Sequence, residues 1–240
     1  MSIIGILPAY NEASYLPCVL EEIKGLADLW ILVDDGSTDG SGDILKEWAG
    51  RNPAVFLSVP VNKGKAHALK LAFQKILEKM TPGEILPDDI VYTTDADGQI
   101  SREAVLHAVE EFKKSGADVL VCRRDFSIYP SFKVLGNRLL AWNASFLSGF
   151  KYKDSECGLR IMRAGVIRAF VPFFKGVRYS AEQEMSVLCP RLGFKVNNDY
   201  EISPRFYRSN TRILDFLVNI SMGWAAFFST AGISKNRGRK

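Results

Sequence analysis

Residues 90–99 read Ile90-Val91-Tyr92-Thr93-Thr94-Asp95-Ala96-Asp97-Gly98-Gln99. The first four are apolar or β-favouring and predict a strand. Asp97-Gly98 turns the chain, and Ser101 opens a helix. Asp95 and Asp97 lie two apart where strand gives way to loop, so the chain can aim both carboxylates at one point. Two such groups repel and resist losing water. A divalent cation relieves that conflict. Hard oxygen ligands suit Mg2+ or Mn2+, which commonly share their shell with substrate phosphates. Gln99 adds a neutral oxygen. A solvated Asp-Gly turn would use the same residues, so the surrounding chain has to decide between the two.

Working outward, strand and helix alternate. Residues 3–7 form an apolar run stopped by Pro8, and a helix follows Asn11-Glu12 to about Ala27. Leu29 to Val33 is a second buried strand, running into the polar loop Asp34-Asp35-Gly36-Ser37-Thr38-Asp39-Gly40. A helix to about Ala49, a strand at residues 55–59, a helix from Asn62-Lys63-Gly64-Lys65 to about Met80, a helix at residues 102–115 and a strand at residues 117–122 complete the pattern. This alternation predicts an α/β fold, a mainly parallel sheet with helices on both faces. Ligands of such sheets bind beyond the carboxyl ends of the strands. Those ends carry Pro8-Ala9-Tyr10-Asn11-Glu12, Asp34-Asp35, Asp95-Ala96-Asp97 and Arg123-Arg124, so one rim gathers acids, an aromatic ring and a basic pair.

The chain has 240 residues, 47% hydrophobic and 24% charged, with a formal net charge of +4. That modest charge does not suggest a nucleic-acid binder. Cys18, Cys122, Cys157 and Cys189 match no zinc spacing and are expected as reduced thiols. The N-terminus lacks the charged region of a signal peptide. His67 and His107 fall on helices without partner spacing and read as structural or surface groups.

After residue 125 the pattern changes. Phe132, Leu135, Leu139, Trp142 and Phe146 recur at helical spacing. The stripe either packs on the sheet or lies on a membrane surface. A helix over residues 180–192 and a strand over residues 194–202 are expected next. Residues 216–233 carry no charge but include Asn219, Ser221, Ser229 and Thr230, which is marginal for a membrane span. A helix lying at the bilayer interface, its basic tail on anionic lipid, is the favoured reading, and a core-packed terminal helix is the alternative.

Four motifs, Pro8-Ala9-Tyr10-Asn11-Glu12, the Asp34 to Gly40 loop, Asn62-Lys63-Gly64-Lys65 and Asp95-Ala96-Asp97-Gly98-Gln99, in this order and spacing resemble the family 2 glycosyltransferases, whose fold is the GT-A fold. Asp-Ala-Asp-Gly-Gln, Asp154 with Cys157-Gly158-Leu159-Arg160, and the segment from Arg208 to Arg212 look like the polyprenyl-phosphate branch, best known from the dolichol-phosphate mannose synthases. The resemblance implies an inverting, metal-dependent transfer of a hexose from a nucleotide diphosphate sugar (GDP-mannose or UDP-glucose type) to a polyprenyl or dolichyl monophosphate. It implies a glycosyltransferase domain over residues 1–210, with a nucleotide-sugar half (1–122) and an acceptor half (123–210), then a membrane-interface helix and basic tail over residues 211–240. The cytoplasmic face of a membrane is the expected location, and a separate membrane-protein partner is possible.

By the same resemblance, Asp95, Asp97 and Gln99 are the metal set, with Mg2+ or Mn2+ as cofactor. Pro8, Tyr10, Glu12, Asp34, Asp35, Asp95, Ala96 and Asp97 hold the nucleotide sugar; Asp35 is the better candidate for the base, and Asp34 a loop-shaping residue. Lys63 and Lys65 read as a phosphate cradle or as a solvated face. The acceptor phosphate falls to Arg124, Arg138, Arg208 and Arg212, since guanidinium binds phosphate oxygens in pairs. Asp97, Asp154 and Arg124 are the catalytic candidates. A phosphate monoester is already anionic and needs little general base. Two other readings stand beside this one: a family 2 enzyme acting on a sugar hydroxyl, with Asp154 or Glu184 as base, and a nucleotide-sugar-binding protein without turnover.

Overall fold

Apolar residues alternate between two buried faces along the first strands, and that alternation builds the molecule. In the computed structural model, which describes residues 1–207 and 213–233, the strands are β1 (Ile3–Ala9), β2 (Leu29–Asp34), β3 (Ala54–Ser58), β4 (Ile90–Thr93), β5 (Val119–Val121), β6 (Arg123–Arg124), β7 (Arg160–Arg163), β8 (Val196–Asn197) and β9 (Glu201–Ile202). Seven form one sheet in the order β3-β2-β1-β4-β7-β5-β8, and β6 pairs with β9. Every pairing in the large sheet is parallel except those of β7, which runs antiparallel between β4 and β5.

The helices are α1 (Leu16–Ile23), α2 (Ser41–Ala49), α3 (Lys65–Met80), α4 (Arg102–Ser115), α5 (Ser131–Ser148), α6 (Ala164–Phe170), α7 (Ala181–Arg191) and α8 (Ile213–Ser229). Ile4, Ile6, Ile31 and Val33 face a core shared with α3, α6 and α7. Leu7, Trp30 and Leu32 face a second core shared with α1, α2 and α4. Burial on both faces explains why these strands read as continuous apolar runs.

One strand of the large sheet is additional to those expected, and one expectation changes. β7 is not apparent in the sequence, because Arg160-Ile161-Met162-Arg163 is short and bounded by charges. Arg160 is nonetheless buried, its guanidinium bonded to the carbonyls of Ser155 and Cys157 and to the Ser186 hydroxyl. The single strand expected over residues 194–202 is two short ones, β8 and β9, in different sheets.

α5 buries Leu140, Ala141, Asn143, Ala144 and Leu147. The ring-bearing stripe faces outward instead, with Phe132 70% and Trp142 67% exposed, so it does not pack on the sheet. α8 buries polar and small residues and turns apolar ones outward. Its buried residues are Asp215, Asn219, Gly223 and Ala226, while Ile213, Leu214, Leu217 and Phe228 are exposed. The residues set apart as a separate C-terminal unit therefore include a helix that packs directly on α5 and α7. Residues 213–233 are long and apolar enough to cross a membrane by length and composition, but the buried stripe is spent on the domain.

Candidate active site

At the carboxyl end of the sheet, the loop after β1 is tied to the loop after β2. The Asn11 and Glu12 amides donate to the Ser37 and Ser41 hydroxyls, both at 2.9 Å. Asn11 takes a φ of 53°, and its side chain accepts from the Thr38 amide at 2.9 Å. These bonds hold a cavity floor of Pro8, Ala9, Tyr10, Glu12 and Asp35. Asp35 accepts from the Lys63 and Gly64 amides at 3.1 and 2.7 Å. Burial outweighs those donors and raises its carboxyl above the ordinary value.

Asp34 lies behind this floor. It does not line the cavity; its carboxylate accepts from the Ser37 amide and the Ser58 hydroxyl. The expectation that it touches the nucleotide gives way to loop shaping.

Asp95, Ala96, Asp97 and Gln99 line the same cavity after β4. Asp97 accepts from the Gln99 amide at 3.1 Å and from its side-chain nitrogen. Burial, and then the neighbouring Asp95 charge, raise the Asp97 carboxyl. Lys65, at the start of α3, does not face solvent. Its ammonium lies 2.5 Å from Asp95 Oδ1 and 2.7 Å from Glu182 Oε1. Burial opposes its charge, but the two carboxylates more than reverse that, so its pKa stands above the ordinary lysine value. Two glycines make this packing possible. A Cβ on Gly158 would sit 2.1 Å from Asp95 Oδ2. Gly64 has a φ of 96°, and a Cβ there would meet the Arg178 backbone at 2.5 Å.

The donor set fits a hard divalent cation. Asp97 and Gln99 offer oxygens, Asp95 keeps Oδ2 beside Gly158, and the like-charge strain on Asp97 is of the sign a cation removes. Among the described residues no group of three or more His, Cys, Asp or Glu side chains could hold a metal. The protein would thus supply part of the shell and leave the rest to substrate phosphates, as is usual for Mg2+.

The cavity holds about 790 Å3; its lining includes Arg124 and runs on to an open apolar groove bordered by Phe132, Leu135, Leu139 and Phe216. Arg124 lines it. Asp154 does not, being 1% exposed. Arg124 Nε and Nη2 donate to the two Asp154 oxygens at 2.8 and 2.9 Å, and Nη2 also reaches Asn137 at 3.2 Å. Burial pushes the Asp154 carboxyl up, but Arg124 and the Glu156 amide more than offset this, leaving it below the ordinary value. Asp154, expected as a catalytic acid or base, does not line the cavity, and both its oxygens accept from Arg124. Glu184, the other candidate base, is fully buried and accepts from the Lys175 and Gly176 amides and the Ser180 hydroxyl.

Arg138 is exposed on α5 and does not line the cavity, although Lys133, Gly136 and Asn137 of the same helix do. It is not brought to the acceptor side. Arg208 and Arg212 lie outside the described residues. Glu182 does not stand out in the sequence; the only signal for it is a pair of acids, Glu182 and Glu184, in a helix that turns out to be buried.

The family model described as "Glycosyl transferase family 2" matches residues 5–185. The UDP-N-acetylglucosamine–dolichyl-phosphate N-acetylglucosaminyltransferase of Methanococcus voltae is 25% identical over 205 residues, 78% of this chain and 79% of its own. The undecaprenyl-phosphate 4-deoxy-4-formamido-L-arabinose transferase of Edwardsiella ictaluri is 30% identical over 174 residues, 69% of this chain and 50% of its own. The chain thus spans about half the length of the undecaprenyl-phosphate relatives it matches. Glucosyl-3-phosphoglycerate synthase of Mycobacterium tuberculosis superposes with a TM-score of 0.67 at 20% identity, over 96% of this chain and 81% of that one. A second structure of that enzyme, in complex with Mn2+, UDP and glucosyl-3-phosphoglycerate, gives a TM-score of 0.63 at 20% identity, over 96% and 80%. At this identity the likeness speaks for the fold, a GT-A-like mixed α/β architecture.

Proposed function

The chain belongs to glycosyl transferase family 2, and from that premise we propose that it moves one sugar from a nucleoside diphosphate sugar to a polyprenyl monophosphate, inverting the anomeric centre. The observation that carries this reading is the continuity of one cavity: the nucleotide floor, Asp97, Arg124 and an apolar groove between α5 and α8 line the same space.

Tyr10 offers a ring to the base, and Glu12 and Asp35 offer carboxylates to base and ribose. Asp97 and Gln99, with Asp95, would hold Mg2+ or Mn2+, which neutralises charge on the departing diphosphate when bound. Lys65 fixes Asp95 beside Gly158, where it meets the sugar. Arg124, aligned by Asp154 and Asn137, draws the acceptor phosphate to the anomeric carbon. The phosphate oxygen forms the new bond to that carbon as the bond from carbon to diphosphate oxygen breaks, and the nucleoside diphosphate leaves. The attacking oxygen is already anionic, so no base is required. Asp154 and Glu184, the residues a sugar-hydroxyl acceptor would have needed, are both turned to structural bonds.

The transferred group is a hexose in this proposal, an N-acylated one included, since the Methanococcus voltae relative is named for N-acetylglucosamine. The outward rings of α5 and α8 lie on the bilayer from which the acceptor is drawn. Phe146 and Trp224 approach to 6.2 Å between ring centroids, and Trp224 and Phe228 to 5.8 Å, joining the two helices in one apolar face. Helices that turn large rings outward suit lipid rather than water.

The test is label transfer from UDP- and GDP-sugars to dolichyl and undecaprenyl phosphate in detergent with Mn2+. A labelled lipid-phosphate sugar of inverted configuration is expected. Transfer to a sugar hydroxyl but to neither lipid phosphate would overturn the proposal.

A further inference from the structure

One corner of the cavity takes no part in the transfer steps above. Glu156 and Asn219 meet there, the first on the turn before β7 and the second on α8, and both line the cavity. Asn219 Nδ2 donates to Glu156 Oε2 at 3.1 Å, and the Ser155 hydroxyl donates to Glu156 Oε1 at 3.1 Å. Asn219 is 5% exposed, yet its Oδ1 has no hydrogen-bond partner among the described residues. Buried acceptors are rarely left so, because the lost hydration is not recovered.

The charges around this corner are unevenly matched. Lys65 is taken by Asp95 and Glu182, and Arg178 is taken by Asp215 at 2.8 Å. Glu156 forms no ion pair among the described residues. Burial, and then the Glu182 charge, push its carboxyl up to about 7. Arg124, paired with Asp154, and Arg160, bonded to the Ser155 and Cys157 carbonyls and the Ser186 hydroxyl, offset this only in part. Toward the cavity the corner presents acceptor oxygens. A group rich in polar hydrogens would satisfy it.

We infer that Glu156 and Asn219 form the subsite that receives the transferred sugar, taking hydrogen bonds from its hydroxyl or N–H groups. The inference rests on the proposed transfer from a nucleotide sugar and deepens it. Glu156 lies two residues before Gly158, whose missing Cβ leaves room for Asp95, and Glu156, Asn219 and Asp95 line the same cavity. The position of Asn219 on α8 also makes sugar recognition depend on that helix being docked.

The test uses the full chain with Mn2+ and measures binding of UDP, GDP, UDP-glucose, UDP-N-acetylglucosamine and GDP-mannose to wild type, Asn219→Leu and Glu156→Ala. Leucine keeps the number of side-chain heavy atoms of Asn219 and removes its polar atoms, and alanine removes a buried acid; each variant's melting temperature checks that it is folded. For whichever nucleotide sugar wild type binds, both variants should weaken binding by about tenfold or more, the order expected when a buried hydrogen bond to the ligand is removed. Binding of the parent nucleotide should stay within about twofold, and kcat at saturating donor should change less than KM. Equal weakening of sugar nucleotide and parent nucleotide overturns the inference, as does unchanged binding of both. A collapse of kcat with donor binding intact also overturns it, because Glu156 would then act as a base. If wild type binds no nucleotide sugar, the proposed function fails and the subsite with it; if wild type binds one and the variants match it, the subsite alone fails.

Discussion

Arg124 and Asp154 form a two-pronged pair, Nε to Oδ2 at 2.8 Å and Nη2 to Oδ1 at 2.9 Å, with the carboxylate 1% exposed and the guanidinium at the cavity wall. Asp154 thereby acts as a positioning residue for Arg124. Removing one partner strands the other, at a cost of roughly 3–5 kcal/mol for a buried pair. Arg124→Ala should lower stability by that order in urea denaturation and abolish transfer. Arg124→Lys keeps the charge but loses the fork; it should recover part of the stability while acceptor KM stays raised.

The same pair sets an acid limit. Asp154 has a folded pKa below its unfolded value, so its contribution is present above the ordinary carboxylate pKa of about 3.9 and is lost as pH falls through the folded value. Urea midpoints measured from pH 5 down to pH 2 should fall in wild type. Asp154→Asn should start lower and lose less over that interval.

Glu156 has the opposite sign. Its carboxyl, raised to about 7, keeps its proton in the folded state where the unfolded chain has lost it. Stability should therefore fall as pH rises from about 4.5 to about 7. Glu156→Gln should flatten that decline and melt higher than wild type at pH 8. A parallel pH profile for the two proteins would count against the burial argument.

Much of this is legible from residue order alone. The continuous apolar runs of β1, β2 and β4 announce a sheet buried on both faces, and the acids and arginines at their carboxyl ends mark the rim where the cavity opens. What stays hidden depends on partners distant in sequence. Arg160 looks like a turn residue until its guanidinium is seen bonded to Ser155, Cys157 and Ser186. Lys65 looks solvent-facing until Asp95 and Glu182 close on it. Periodicity marks the stripe on α5 but does not say which way it faces, because a ring-rich stripe suits a core and a lipid surface equally well.

The outward face makes a separate prediction. Trp142 and Phe228 are 67% and 65% exposed, so Trp142→Glu with Phe228→Glu should leave the melting temperature within about 2 °C, as expected for surface changes. Co-flotation with vesicles containing phosphatidylglycerol should be lost. Flotation equal to wild type would remove these helices from the membrane contact.

Asp97→Ala should reduce transfer by about 10²-fold or more, the scale seen when a group stabilising transition-state charge is deleted. It should also erase the difference in thermal stabilisation that UDP or GDP gives with and without Mn2+. A metal-dependent shift that survives the substitution would place the cation elsewhere.

The measurement that bears most directly on the central claim is a crystal structure with Mn2+, the nucleoside diphosphate the protein binds, and a short-chain polyprenyl phosphate. The diphosphate is expected against Asp97, the acceptor phosphate on Arg124, and the prenyl chain between α5 and α8. A phosphate bound away from Arg124, or a prenyl chain outside the α5–α8 groove, would contradict the proposed transfer.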